Sequence, residues 1–362
     1  MRGILPLHGP RPRLTAAGDT LEGALHMQQD RILLAHGSGG TMMRDLIEEV
    51  FVPSFADETL SRLDDAGVVD VPAGRLAIST DTYVVSPLIF PGGDIGRLAV
   101  CGTVNDIATA GAVPLYLSVG FVLEEGLEVE VVRRVLASMR AAAEEAGVRI
   151  VTGDTKVVEK GHGDGMYVNT AGIGVVRDGF DLSGSHCKPG DVVLLSGTLG
   201  DHGIAVVSVR EGLAFSTEIV SDAAPLAALV HAVLDAAPGT RCFRDPTRGG
   251  LASTLNEIAS ASSVGIVVDE AAVPVREQVR GACEMLGYDV YQVANEGKMV
   301  AVVPRDQAEA ALDAMRSAPY GENAAIIGEV VEAPAGRVHV KTPFGATRVM
   351  DMLVGEQLPR IC

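Results

Sequence analysis

The chain has 362 residues, with 29 Lys and Arg against 47 Asp and Glu, a formal net charge of −18. That balance argues against nucleic acid or an anionic membrane as the main partner, because both are bound through basic surface. Hydrophobic residues make up 47 % of the chain, too many for a disordered polymer and enough for a large core or two domains.

Residues 1–30 mix Arg, Pro, His and Gly without an apolar run, and read as a mobile leader rather than a signal peptide. A glycine cluster follows at His36–Gly40, then a helix over 42–50. Strands are expected at 76–79 and 83–85, and a helix over 94–110. Pro114 breaks the pattern before a buried strand over 115–122. The stretch 128–146 is an amphipathic helix ended by Gly147. Strands follow at 148–152 and 167–176, and the turn-rich stretch 178–184 marks a domain boundary. The second half opens with a strand at 191–196 that runs into a Gly-rich turn. It then alternates helices (226–236, 251–261, 275–286, 307–317) with strands (265–268, 299–303, 325–331). The fold class is α/β in the mixed, α+β sense: two tandem domains over 31–178 and 179–342, and an extended flexible tail over 343–362. No apolar stretch reaches the ~20 residues that span a bilayer.

The 42 glycines are roughly 12 % of the chain against a usual ~7 %, which points to tight loops and close backbone approach. The five cysteines, Cys101, Cys187, Cys242, Cys283 and Cys362, are odd in number and widely spaced, without a CxxC. A disulfide framework or zinc site is therefore not expected, and a reducing cytoplasm fits. Nothing follows Cys362 in the sequence, so a prenylated Cys of a four-residue motif is not expected. The other four sit among small or apolar neighbours and read as structural.

The P-loop, Rossmann, HExxH and kinase signatures are all missing. Instead, carboxylates fall in what read as turns beside strands: Asp64-Asp65, Asp81, Asn105-Asp106, Asp154 and Asp245. Hard oxygen ligands in such places suit Mg²⁺ bridging to phosphates, with Lys156 as a point charge and Arg248 as a planar fork. The plain alternative is that each Asp caps its own turn. The glycine clusters at 36–40 and 196–203 can offer successive N–H groups to an anion, or be ordinary turns and helix starts. His36 and His202 read as satisfied structural histidines, since no partner His stands at metal spacing.

The combination is specific. HGSGG at 36–40, Asp64-Asp65, STDTYVVSP at 79–87, CGTVNDIA at 101–108 and GDTKVVE at 153–159 run in order. SGTLGDHG at 196–203, RDPTRGGLA at 244–252, NEG at 295–297 and the terminal Pro359-Arg360-Ile361-Cys362 complete the series. In these the chain resembles the HypE family of hydrogenase-maturation proteins. That family lies in the superfamily of aminoimidazole ribonucleotide synthetase, selenophosphate synthetase and thiamine-monophosphate kinase. The resemblance implies an ATP-dependent dehydratase that acts on its own C-terminal Cys362. A HypF-type carbamoyltransferase supplies the thiocarbamate, and the resulting thiocyanate passes cyanide to iron on a HypC–HypD complex for [NiFe] hydrogenase. It implies a homodimer, with 115–122 and the strand near Tyr167 as candidate interface because they lack the alternation of a half-exposed sheet.

By the same resemblance, ATP falls to Gly37, Gly39, Gly40, Asp64, Asp81, Thr82, Asn105, Asp106, Gly153, Asp154 and Arg248. Mg²⁺ falls to Asp64, Asp65, Asp81, Asp106, Asp154 and Asp245. Catalysis falls to Cys362, to Lys156 for phosphoryl and oxyanion charge, and to Glu296 as the base. The tail is expected to swing outward for carbamoylation and inward to meet ATP, its thiol partly ionised near pKa ~8.5. Two rivals remain. One is a superfamily enzyme acting on a free small molecule, although Ser38 stands where selenophosphate synthetases carry Cys or selenocysteine. The other is a non-catalytic scaffold.

Overall fold

The computed structural model describes residues 30–213, 219–352, 355 and 358–362. The expected leader, apart from Asp30, lies outside the described residues. The chain begins with α1 (Thr41–Leu46), a π-turn (Ile47–Phe51) and α2 (Val52–Phe55), so the expected 42–50 helix extends further through irregular turns. Strand β1 (Leu76–Tyr83), a ribbon of β2 (Ile89–Phe90) and β3 (Gly93–Asp94), and α3 (Ile95–Thr109) follow. The Asp94 side chain caps α3 by accepting from the N–H groups of Gly96 and Arg97 at 2.9 and 3.0 Å. Then come β4 (Ala112–Glu124), α4 (Val129–Ala146), β5 (Arg149–Val158) and β6 (Met166–Val176).

These strands form a sheet in the order β1-β6-β4-β5, with only the β4–β5 pair parallel. Pro114 does not stand before the strand as expected. It lies inside β4 at a register shift, where a ladder tolerates a residue without an N–H. One face of the sheet packs on α3 and α4. Burial alternates along β4 and β6, contrary to the expectation of uniformly apolar strands. The other face shows Leu76, Ile78 and Val113 at its surface, with Ile78 73 % exposed.

The second half contains β7 (Val192–Leu195), α5 (Asp201–Arg210), α6 (Ala227–Ala236), β8 (Cys242–Arg244) and α7 (Gly250–Ser262). It continues with β9 (Gly265–Asp269), α8 (Glu277–Leu286), β10 (Val300–Val303), α9 (Ala308–Ser317) and β11 (Ala325–Val331). It ends with β12 (Arg337–Lys341) and β13 (Thr347–Val349). The seven strands order as β13-β12-β9-β11-β7-β10-β8. The runs VVLL in β7 and VAVV in β10 are buried on both faces. Val193, Leu195, Val300 and Val302 meet the α7 side, and Val192, Leu194, Ala301 and Val303 meet α6 and α9. Apolar packing on the latter side is continuous with the core of the first sheet. Cys187 and Cys242, widely spaced in sequence and read as structural, bring their sulfurs to 3.6 Å as free thiols. The stretch 343–362 is not wholly a tail, because β13 pairs with β12.

Candidate active site

The end of the chain lies where the two sheets' cores meet. Leu358 and Ile361 are buried in the shared apolar cluster, and Cys362 packs against it. Ile361 bridges Val85 just beyond β1, and the Ser86 N–H donates to the Arg360 carbonyl at 3.1 Å. Burying Ile361 alone contributes roughly 1.5–3 kcal/mol to holding the tail.

The Cys362 thiol faces Glu296. Burial first, and the Glu296 charge second, push the thiol well above its ordinary pKa, against the pull of Arg248. The docked thiol is therefore neutral, which corrects the expectation of partial ionisation for this position of the tail. Glu296 is itself buried, and its Oε1 accepts no hydrogen bond. Burial, then Asp222 and Asp245, push its carboxyl well above the usual range.

A tight backbone path fixes Glu296. Its N–H donates to Asp222 Oδ1 at 3.0 Å. A Cβ on Gly297 would lie 1.7 Å from the Asp222 carbonyl oxygen, so only glycine allows this approach. Lys298 Nζ pairs with Asp222 at 3.1 Å, both nearly buried. On the other side, Asn295 donates to the Pro246 carbonyl and accepts from the Gly200 N–H. That ties the Glu296 turn to the loop carrying Asp245 and Arg248.

Around this centre the structure gathers Asp81, Asp106 and Asp245. Ser79 Oγ donates to Asp106 at 2.7 Å. Burial raises Asp106, and burial with the charges of Asp106 and Asp81 pushes Asp245 up to about 7. These carboxylates are short of positive charge, although Arg244 opposes the rise in both. The expectation of turns fails for Asp81 and Asp154, which lie in β1 and β5, and for Asn105 and Asp106, which lie in α3, the helix that the periodicity predicts over 94–110.

The remaining expected residues are elsewhere. Asp154 and Lys156 are exposed on β5, with Nζ 2.8 Å from both Asp154 oxygens, an ion pair that holds the carboxyl below its usual range. Thr82, Asn169, Gly120 and Asp154 share one row across the open face. Three strand spacings separate Thr82 from Asp154, about 14 Å. Asp81 points to the opposite face from Thr82. Gly39, Gly40, Asp64, Gly153 and Asp154 line a cavity of 290 Å³ between the 39–67 segment and strands β4 and β5. Asp65 is exposed beside it. Gly37 has a packing reason, since a Cβ there would meet Val157 N at 2.6 Å. Asn105 is buried with its amide committed to the Ala224 carbonyl and the Leu226 N–H, so it pins α3 to the start of α6. His36 is the satisfied histidine expected, accepting the Leu33 N–H at 3.0 Å.

Sequence reasoning missed Asp222 and Lys298 beneath Glu296, and helix α5, which begins inside the expected 196–203 loop. Asp222 carries no motif, and α5 is buried almost all round, so it shows no amphipathic period.

Family models match both halves: the AIR synthase related protein N-terminal domain over residues 63–176, and its C-terminal domain over residues 188–341. Carbamoyl dehydratase HypE of Azotobacter vinelandii is 54 % identical over 338 residues, covering 93 % of this chain and 99 % of that protein. A crystal structure of hydrogenase maturation protein HypE in complex with ATP superposes with a TM-score of 0.88 at 50 % identity, covering 91 % of this chain and 99 % of that one. HypE in a HypE–HypF complex matches with a TM-score of 0.75 at 50 % identity, over 85 % of this chain and 99 % of that one.

Proposed function

Since the chain belongs to the HypE carbamoyl dehydratase family, we propose that it uses ATP to dehydrate the S-carbamoyl group of its own Cys362 to a thiocyanate, in [NiFe] hydrogenase maturation. One observation carries this reading: the terminal thiol is seated against the buried Glu296 carboxyl, whose Oε1 has no hydrogen-bond partner. An incidental thiol has no such seat, and a superfamily enzyme for a free small molecule has no use for it.

The thiocarbamate oxygen is a poor leaving group. Transfer of the ATP γ-phosphoryl group to it, with loss of one N–H proton, turns it into phosphate. Loss of the second N–H proton expels that phosphate and closes the C≡N bond, leaving ADP, phosphate and the thiocyanate. Glu296 takes the first proton from the nitrogen, because a carboxylate in this buried, acid-flanked position binds a proton more tightly than one in water, and the departing phosphate carries off the second. Arg248 is the cation whose field reaches the sulfur, and it meets charge developing there.

Among the described residues no three His, Cys, Asp or Glu side chains stand as a ready metal cage. Mg²⁺ needs none, since it takes one or two carboxylates with phosphates and water. The electron-rich group of Asp81, Asp106 and Asp245 fits that role, and a bound Mg²⁺ would neutralise phosphate charge there. ATP contacts from the 39–40, 64 and 153–154 segments belong to the same proposal.

A neutral, buried thiol is a poor nucleophile, so carbamoylation needs the tail outside its seat. The partner for that step is a HypF-type carbamoyltransferase, and a HypC–HypD complex receives the cyanide. The homodimer supplies what one cleft lacks. The first sheet has two open edges, β1 and β5, and an exposed apolar face. Pairing β1 of one protomer with β5 of its partner covers both edges and the face. It also brings Lys156 towards the partner's cleft. The cytoplasm suits five free thiols and ATP chemistry, and no helix among the described residues is long and apolar enough to cross a membrane.

The test is intact-protein mass spectrometry after carbamoylation. Mg-ATP should remove one water from the protein, and Cys362→Ala should show neither the adduct nor the loss. A stable thiocarbamate in the presence of Mg-ATP would sink the reading.

A further inference from the structure

The tail is held in its seat by α5. The Arg210 guanidinium donates to four carbonyl contacts around one point: Nε and Nη2 to Ser86 at 2.9 and 2.7 Å, Nη1 to Pro359 at 2.6 Å and Nη2 to Arg360 at 2.6 Å. Two turns earlier, His202 meets the Ile361 carbonyl through Nε2 at 2.8 Å and Ser221 Oγ through Nδ1 at 2.8 Å. Burial holds this ring neutral, so Nε2 carries the proton and donates to the tail. Between them, a Cβ on Gly203 would meet Val293 at 2.4 Å and Leu358 at 3.2 Å, so the missing side chain is room for the tail.

From this geometry we infer that Arg210 and His202 form a clamp on the tail's backbone that positions Cys362 against Glu296. Neither residue touches the reacting atoms, so both are positioning residues. Polar contacts run to the carbonyls of residues 359, 360 and 361, while the reacting sulfur is left free. The clamp therefore accepts the tail with a bare thiol, a thiocarbamate or a thiocyanate. Opening it is the step that hands Cys362 to the transferase. The catalytic half of this inference rests on the dehydratase reading; the holding half does not.

The experiment compares full-length wild type, Arg210→Lys and Arg210→Met. The rate at which iodoacetamide alkylates Cys362 is followed by intact mass, with Cys362→Ala as blank. Thermal melting and ATP affinity verify the fold. Loss of several charge-assisted bonds should raise alkylation of Arg210→Met roughly tenfold or more, with Arg210→Lys between. Single-turnover dehydration of the carbamoylated protein should fall in the same order. Alkylation at the wild-type rate in Arg210→Met overturns the clamp. Faster alkylation with unchanged dehydration overturns the positioning role. If wild type itself fails to dehydrate, the function falls while the alkylation contrast still decides the clamp.

Discussion

Two acidic regions of the molecule are built on opposite terms. Around Glu296 the carboxyls of Asp106, Asp245 and Glu296 all sit above their usual range, because burial and neighbouring carboxylates outweigh Arg244 at the two aspartates and the Cys362 hydrogen bond at Glu296. On β5 the Asp154 carboxyl is exposed, paired with Lys156 and held below its usual range. An exposed pair of that kind contributes little to stability, at most about 1 kcal/mol. The first region is short of cations and the second presents one at the surface. On the proposed reading the two regions act together across a dimer, each supplying what the other lacks.

The largest effect expected is on the Glu296 side. Glu296→Gln keeps the shape of the turn and removes the base, so single-turnover dehydration should fall by about 10²–10⁴-fold with ATP affinity retained. A normal rate of phosphate release would take Glu296 out of that role and leave the cluster a structural oddity.

Next comes the link between the regions. Lys156→Ala and Glu296→Gln homodimers should each be inactive. If Lys156 serves the partner's cleft, mixed dimers contain one intact site, and mixing should recover about a quarter of wild-type activity after subunit exchange. No recovery would place both residues in one protomer's site. Ile78→Asp should shift the protein towards monomer in sedimentation, because it puts a charge on the exposed apolar face, and activity should fall with it.

What the sequence made legible follows the same division. Residue types that invite chemistry stood out in the sequence, namely the terminal Cys362, the NEG turn and the acidic pairs, and the roles given to them belong to the proposal. Strands were readable from apolar runs such as those at 191–196 and 299–303, whereas the reading of 115–122 and the strand near Tyr167 as lacking alternation failed. What could not be read was convergence. Asp81, Asp106 and Asp245 meet through a strand, a helix and a loop of different sheets, and no spacing encodes that. Asn105 sits in a motif beside Asp106, yet one helical step turns its amide onto the backbone of Ala224 and Leu226. The SGTLGDHG segment misled for a local reason. Gly200 turns the chain at φ +82 and the helix starts at once, so a glycine-rich string conceals a buried helix whose task is the tail.

The smallest expected effect concerns pH and the docked thiol. In its seat the Cys362 pKa is raised well above the ordinary value, first by burial and then by Glu296. A free terminal thiol titrates near ~8.5. Docking therefore favours the protonated thiol, and its contribution is fully present below ~8.5. As pH rises through that value the released tail ionises while the docked one cannot, so docking weakens about tenfold per further pH unit. The Ser86 amide, which donates to Arg360 only while the tail is seated, reports this in hydrogen exchange. Its protection, corrected for intrinsic exchange, should drop above pH ~8.5 in wild type and stay level in Cys362→Ser. Equal slopes in the two proteins would mean that the thiol is not the group that loosens the tail. The cation-poor setting of the cleft would then act on ATP and not on the chain's own end.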